Sequence, residues 1–252
     1  MATPLPLTGI VVTRDEAGRI ARCLGPLLAV CREVIVLDSG STDDTVAIAR
    51  GMGAQVEHQE WLGYASQKNT AISRASQPWV LLLDADEWLE PGAVESLRAL
   101  FGTGAVEHAD AWRLRRRAHF LGHRMRGGGF AREPLPRLFR KHLRYEIRPV
   151  HEELDTRGQR VANSRIGIEH EIAGCPEAHW RKLEGHARLW ADDQARRGRV
   201  VLPGRGELAA LAYLLKHVVL RLGVVDGLPG LRFHWLQARY ARLKYQLLDD
   251  AA

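Results

Sequence analysis

The stretch "WVLLLDADEWLEP", residues 79–91, joins four apolar residues, Val80 to Leu83, directly to three carboxylates, Asp84, Asp86 and Glu87. An apolar run of this length, bounded by polar residues and a proline, suits a strand buried on both faces, as in the parallel sheet of an α/β domain. Its acids then stand at the strand's C-terminal end, the edge at which open α/β sheets bind ligands. Crowded carboxylates repel one another, so this reading requires something cationic among them.

The residues before it repeat the theme. "GIVVT" (9–13) reads as a strand, and "EAGRIARCLGPLLAV" (16–30) as a helix with Ile20, Leu24, Leu27 and Leu28 on one face. "EVIVLDSGSTDDT" (33–45) gives a strand from Val34 to Leu37, a turn, and a helix capped by Ser41 or Thr42 with acids in its first turn and Gly53 closing it. "AQVEH" (54–58) is a weaker strand and "YASQKNTAISRA" (64–75) a helix leading into the opening stretch. After it, Pro91 suits the first turn of a helix that turns Val94, Leu97 and Phe101 inward. Strand and helix alternating in this way imply a parallel sheet with right-handed crossovers.

From residue 111 the texture changes. "DAWRLRRRAHFLGHRMRGGGFAREPLPRLFRKHLRYEIRPVHEEL" (110–154) is basic, glycine-containing and aromatic, consistent with strands and loops beside the acidic edge. Gly127 to Gly129 read as a mobile flap over a donor substrate, with Arg124, Arg126 and Arg132 facing an anionic acceptor. Three helices follow, within 178–198, 206–223 and 230–248. The second is broadly apolar, interrupted by Lys216, His217 and Arg221, and fits a helix buried between others better than an interfacial membrane helix. The expected organisation is a catalytic domain over 1–172, divided into a nucleotide-binding half (1–110) and an acceptor-side half (111–172), with a helical extension over 173–252.

Composition narrows the class. Hydrophobic residues make up 46% and charged residues 26% of the 252, so the chain can bury a substantial core. Cys23, Cys31 and Cys175 form no CxxC pair, which suggests neither a disulfide framework nor a zinc site. The start lacks a basic segment followed by a long apolar core, and no run of about 18 uncharged apolar residues occurs, so the expected location is cytoplasmic. The net charge of +6 hides an asymmetry: residues 1–110 carry 8 Lys/Arg against 15 Asp/Glu, residues 111–252 carry 28 against 15. An acidic catalytic half and a basic half facing an anionic partner follow from that split, and nucleic acid, an anionic membrane surface and a phosphorylated acceptor all fit it.

Three elements fall at the ends of three expected parallel strands. Asp84 and Asp86 can reach a shared centre from one turn, and hard cations such as Mg²⁺ or Mn²⁺ prefer such oxygen ligands, while acids at a strand end also serve simply to cap a helix. Asp38 opens a turn of small polar residues that suits either a nucleotide base or a helix start. Thr13, Arg14 and Glu16 lie along the same edge, or form surface ion pairs.

Together "VVTRDEAGRIARCL", "VIVLDSGSTDDTVAIA", "GYASQKNTAISRA" and "VLLLDADEWL", in that order, give the chain a resemblance to inverting family 2 glycosyltransferases of the GT-A fold, a Rossmann-like, mostly parallel α/β architecture. It extends through "RLF" (137–139) and "VHEEL" (150–154), and the "VHE" resembles the branch of bacterial lipopolysaccharide inner-core glucosyltransferases. The resemblance implies a UDP-hexose or similar donor, with Thr13, Arg14 and Glu16 lining the nucleotide pocket, Asp38 at the uracil and Lys68 near the nucleotide. It puts Asp84 at the ribose or the metal and Asp86 on a Mg²⁺ or Mn²⁺ that holds the diphosphate. The acceptor-side base implied by the family is assigned to Glu152. In an extended segment only one of Glu152 and Glu153 enters the cleft.

Arg132, Arg137 and His151 are the remaining acceptor-side candidates, and His170 reads as structural. An Asp-containing acceptor motif and a later Gln/Arg-rich tryptophan motif, common in the wider family, do not stand out here; Arg137 and Arg140 are assigned to charge compensation in their place. The implied partners are a nucleotide-sugar and an anionic or lipid-linked saccharide such as lipopolysaccharide core, met at the inner membrane leaflet by peripheral contact, with no nucleic acid. A nucleotidyltransferase would show a glycine-rich triphosphate loop near its start, which "VVTRDEAGRIARC" is not. A noncatalytic nucleic-acid binder would not need Asp38, Asp84 and Asp86 at one edge.

Overall fold

Residues Val80 to Leu83, all shielded from solvent, divide their side chains between two cores. Leu81 and Leu83 point into one, with Val11 and Val36, while Val80 and Leu82 point into the other, with Ile10 and Leu37. This alternation is what a strand covered on both faces produces. A computed structural model describes residues 3–131, 133–147 and 152–250. In chain order the elements are β1 (Leu5–Thr13), α1 (Ile20–Val30), β2 (Cys31–Asp38), α2 (Thr45–Gly51), β3 (Gln55–His58), α3 (Tyr64–Arg74), β4 (Trp79–Asp84), β5 (Glu87–Leu89) and α4 (Ala93–Gly102). There follow β6 (Ala111–Phe120), β7 (His123–Arg124), β8 (Glu133–Arg140), β9 (Val161–Ala173), α5 (Pro176–Arg196), α6 (Arg205–Leu214) and α7 (Gly227–Asp250).

The chain forms two compact units, one within 1–116 and 134–170, the other within 117–133 and 171–252. The basic segment 117–133 therefore groups with the C-terminal helices rather than with the strands on either side of it. Among the described residues the strands are ordered β3-β2-β1-β4-β8-β6-β9-β5, with β7 paired to β6. The pairs β3–β2, β2–β1 and β1–β4 are parallel, whereas β8 runs antiparallel to β4 and β9 antiparallel to β5. Residues of α1, α2 and α4, including Leu24, Leu27, Ala49 and Leu97, cover one sheet face. Ala65, Ala71 and Ile72 of α3 cover the other.

Three local expectations are corrected. Neither Ser41 nor Thr42 caps α2: Ser41 Oγ donates to Asp38 and accepts from the Asp15 N–H at 2.9 Å, and the Thr42 N–H donates to Asp15 at 2.7 Å. Asp43 instead accepts the Thr45 N–H at 3.0 Å, just ahead of the helix. Pro91 stands outside α4, which starts after Gly92 in the left-handed region at φ 82°.

The third correction concerns Gly127 to Gly129. A side chain at Gly127 would collide with the Leu222 carbonyl, at Gly128 with the His234 ring and at Gly129 with Arg221. Gly128 and Gly129 also take φ of 67° and 89°, where glycine is favoured. The Gly128 N–H donates to the Arg221 carbonyl at 2.8 Å, and its own carbonyl meets His217 Nδ1 at 2.6 Å. The glycines are thus close-packing residues of the second unit, whose core is Phe120, Met125, Leu183, Phe233 and Leu236.

Leu82→Ala should lower the unfolding free energy by about 2–5 kcal/mol, because it leaves a cavity between β4 and its covering helix. Urea denaturation should show a lower midpoint with an unchanged m-value.

Candidate active site

The parallel register brings the expected site residues together. Thr13 pairs with Asp38 across β1 and β2, and Val12 with Asp84 across β1 and β4, so Asp38, Thr13 and Asp84 end three adjacent strands at one edge. Asp38 and Asp84, two strands apart, are separated by roughly 10 Å of sheet width.

Beyond these strand ends the loops are laced to each other. The Glu16 N–H donates to Thr45 Oγ1 at 2.7 Å, and the Ala17 N–H to Asp43 Oδ2 at 3.0 Å. Asp38 Oδ2 accepts the N–H groups of Gly40 and Ser41 at 3.0 and 2.9 Å, closing its own turn. Arg14 is largely exposed beside Asp15, and Glu16 pairs with Arg19 at 3.1 Å. Thr13 is different: its Oγ1 is buried at this edge with no partner among the described residues. A buried hydroxyl without a partner is costly, and a bound ligand is one way to satisfy it.

The cation demanded by the acids of 84–87 is found in two places. Arg137 Nη2 lies 2.6 Å from both Asp84 Oδ2 and Glu87 Oε1, and Lys68 Nζ lies 3.1 Å from Asp84 Oδ1. Glu87 is fully buried and also receives Arg116 at 3.2 Å. Burial alone would raise the pKa of Asp84, but Arg137 and then Lys68 outweigh it and hold this carboxyl well below the usual range. Burial likewise opposes the charge on Lys68, yet the Asp84 carboxylate overcomes it and moves the ammonium upward. Arg137 is therefore not an exposed acceptor-side group; it is buried with its guanidinium committed to Asp84 and Glu87.

Arg140 does not share that role. It pairs with Glu107 and lies 4.3 Å over the Trp79 ring, because antiparallel pairing sets Arg140 opposite Trp79, at the start of β4.

Glu152 reaches the same cluster from a distant part of the chain. Its Oε1 accepts from Lys68 Nζ at 2.7 Å, while Glu153 is exposed. Asn69, next to Lys68 on α3, exchanges hydrogen bonds with the Tyr145 backbone at 2.9 and 2.8 Å, and a Tyr145–Leu154 bridge returns the chain with Glu152 turned to Lys68. His170, read as structural, lies 3.5 Å from Asp86, since β9 places it opposite Glu87. Tyr145 and Arg116 carry no motif in the sequence, whereas Asn69 stands inside "GYASQKNTAISRA" and Glu87 inside the acid pile-up at 84–87, the signal that pointed to this neighbourhood. Arg132 and His151 lie outside the described residues.

Whether a divalent cation suits this edge turns on its donors. Among the described residues no group of three or more His, Cys, Asp or Glu forms a metal cage. Both oxygens of Asp84 meet cations, Oδ2 from Arg137 and Oδ1 from Lys68, so Asp86 is the carboxylate whose hard oxygen donors are of the kind Mg²⁺ or Mn²⁺ takes.

A parallel half with acids at its strand ends, continued by antiparallel strands, is the GT-A architecture of sugar transferases. The chain belongs to glycosyl transferase family 2, whose model matches residues 8–151. It is 30% identical over 207 residues to the lipopolysaccharide core biosynthesis glycosyltransferase LpsC of Rhizobium meliloti, covering 79% of this chain and 75% of the relative. An uncharacterized glycosyltransferase of Rickettsia felis is 38% identical over 109 residues, 43% of this chain but only 38% of that one. The crystal structure of S. aureus TarS matches with a TM-score of 0.50 at 15% identity, over 97% of this chain and 55% of the other. The chain is thus a glycosyltransferase, which sets aside the nucleotidyltransferase and nucleic-acid-binding alternatives.

Arg137→Met should cost about 3–5 kcal/mol, because it takes the nearer of two cations from the fully buried Glu87 and leaves Arg116 alone to balance it; denaturant unfolding measures this. The sign of the pH effect follows from the shifts. Asp84, depressed when folded, stabilises fully above its unfolded pKa, and that contribution disappears as pH falls below about 4. Lys68, raised when folded, contributes fully below about pH 10, and its contribution fades as pH climbs past that value. The stability difference between the wild type and Asp84→Asn should accordingly shrink under acid conditions.

Proposed function

We propose that this glycosyltransferase moves a hexose from a UDP-sugar to a cell-envelope saccharide of the lipopolysaccharide-core type, with inversion at the anomeric carbon. The observation that carries the reading is the meeting of Thr13, Asp84, Lys68 and Glu152 at one sheet edge, with the buried Thr13 hydroxyl lacking a partner there. The name of the Rhizobium relative supports the acceptor class. Thr13, Arg14, Glu16 and Asp38 would line the uridine side. The turn that Asp38 closes on itself would hold its carboxylate ready for a base N–H.

Glu152 would take the proton of the acceptor hydroxyl while that oxygen attacks the sugar from the face opposite the diphosphate. The carbon–oxygen bond to the diphosphate breaks in the same displacement, and UDP leaves. The Lys68 contact uses Oε1 of Glu152, so Oε2 is the oxygen assigned to the proton. Lys68 positions both Glu152 and Asp84, and Arg137 keeps Asp84 ionised. Asp86, with Asp84 beside it, would hold Mg²⁺ or Mn²⁺, which when bound neutralises charge on the leaving diphosphate. His170, beside Asp86, would orient that carboxylate. The reaction would take place on the cytoplasmic side, with an anionic, lipid-linked acceptor met by peripheral contact with the membrane.

Glu152→Gln should reduce transfer by about 10²–10⁴-fold while leaving donor affinity close to wild type, as rate assays and calorimetric titration of a nucleotide-sugar panel would show. Asp86→Ala should abolish metal-dependent donor binding. Equal, metal-independent binding of every donor by both proteins would refute the metal assignment, and full activity in Glu152→Gln would move the base elsewhere.

A further inference from the structure

The second unit carries an apolar surface that the sugar-transfer chemistry does not use. On α6 and the π-helical segment continuing it, Leu215–Leu220, residues Leu208, Leu211, Leu215 and Val219 recur at helical spacing and are all exposed. This overturns the expectation of a helix buried between others. On α7 the exposed Leu228, Leu231 and Trp235 likewise share one face. Between the two lies a corner at which the segments Arg205–Leu220 and Gly223–Asp250 bend by 76°. The corner is itself apolar: Leu220, Leu222, Val224 and Val225 are 72%, 60%, 53% and 58% exposed. No single described helix is long and apolar enough to cross a membrane.

Three features say what covers this corner. The first is charge. From Leu208 to Leu248 the single acid is Asp226, and it is buried, accepting the N–H groups of Arg126 and Gly127 at 2.6 and 2.9 Å. Lys216, Arg221 and Arg232 are exposed along the same stretch, so the corner itself is flanked by positive charge, the exposed acid Glu207 lying back in the first turn of α6 and paired with Arg242. The second is the backbone. Arg221 N–H donates to Lys216, Leu222 N–H to Val219, Val225 N–H to Leu222, and the Arg221 carbonyl accepts from Gly128. A turn with its polar groups paired in this way can leave water at low cost, a condition that entry into lipid imposes. The third is rigidity, because the close-packed glycines hold the corner from behind.

We propose that this corner is a membrane-docking wedge, inserting its apolar residues into the headgroup–acyl boundary of an anionic bilayer while Lys216, Arg221 and Arg232 engage lipid phosphates. An apolar face rimmed by cations is what such interfaces retain. The wedge stands independently of the donor and acceptor assigned to the catalytic edge.

Flotation of the full chain with vesicles tests it, using phosphatidylcholine alone and phosphatidylcholine enriched in phosphatidylglycerol. The wild type should float with the anionic vesicles and far less with the neutral ones. Leu220→Asp combined with Val225→Asp should weaken binding roughly tenfold or more, and Lys216→Gln with Arg232→Gln should remove the preference for anionic lipid. The altered side chains are exposed, so thermal unfolding midpoints should be unchanged. As a measure free of folding effects, a vesicle-induced blue shift of wild-type fluorescence should disappear in Trp235→Phe.

Absence of flotation by the wild type, or equal flotation by the Asp variant, overturns the proposal. So does a concentration-dependent dimer in sedimentation velocity that the Asp substitutions dissociate without any vesicle binding, which would make the corner an interface between copies. Nucleotide-sugar titration in solution, run in parallel, reports on the catalytic edge separately.

Discussion

The buried Arg137 guanidinium, shared between Asp84 and Glu87, is the constraint around which the catalytic unit is arranged. A strand that ends in acids cannot be covered on both faces unless those charges are met, and desolvation makes each unmet charge expensive. The cation comes from β8, which runs antiparallel beside β4 and so returns to its acidic end. Lys68 on α3 supplies a second positive group from the helix that packs over the sheet, and through it Glu152 is drawn to the same place. Fold and chemistry are therefore one problem here: the contacts that make a charged strand end tolerable also collect the groups that a sugar transfer uses.

The neighbouring strand ends solve a different problem with neutral groups. Asp15, with a positive φ of 53°, and Asp43 accept backbone N–H groups from the opposite loop, and Asp38 accepts two from its own. Asp15 and Asp43 are exposed, and the buried Asp38 is met by the N–H groups of its own turn, so hydrogen bonds replace a buried cation in these loops. Such pairing pre-shapes the edge before any ligand arrives, which reduces the ordering cost of binding. The partnerless Thr13 hydroxyl interrupts this satisfied pattern, at the strand that lies between Asp38 and Asp84.

In the second unit the polar residues are employed to shape the backbone. Asp226 clamps the start of the glycine run, His234 fills the space that a side chain at Gly128 would take, and His217 meets the Gly128 carbonyl. Burial draws the pKa of His234 down to about 4, with the neighbouring His217 adding to the shift, so the ring stays neutral in the packed corner. The result is a fixed bend whose outward side is apolar and whose inward side is fully packed.

The sequence by itself determined the α/β alternation and the family, because apolar runs at strand length and helical spacing are local properties that survive in one dimension. It pointed equally to a cation beside the Asp84–Glu87 cluster, since like charges crowded at the end of a strand buried on both faces repel one another. Only the tertiary structure decided which cation that was. Arg137 and Arg140 are equivalent in sequence, and the antiparallel register of β8 alone sends one to the acids and the other toward Trp79. The same holds for His170, for Asn69 and Tyr145, and for the glycines, whose use as spacers rather than as a flap depends on a helix about a hundred residues away. Short-range pattern encodes what each segment is; which distant groups it meets depends on register and packing, and the sites lie where those meetings occur.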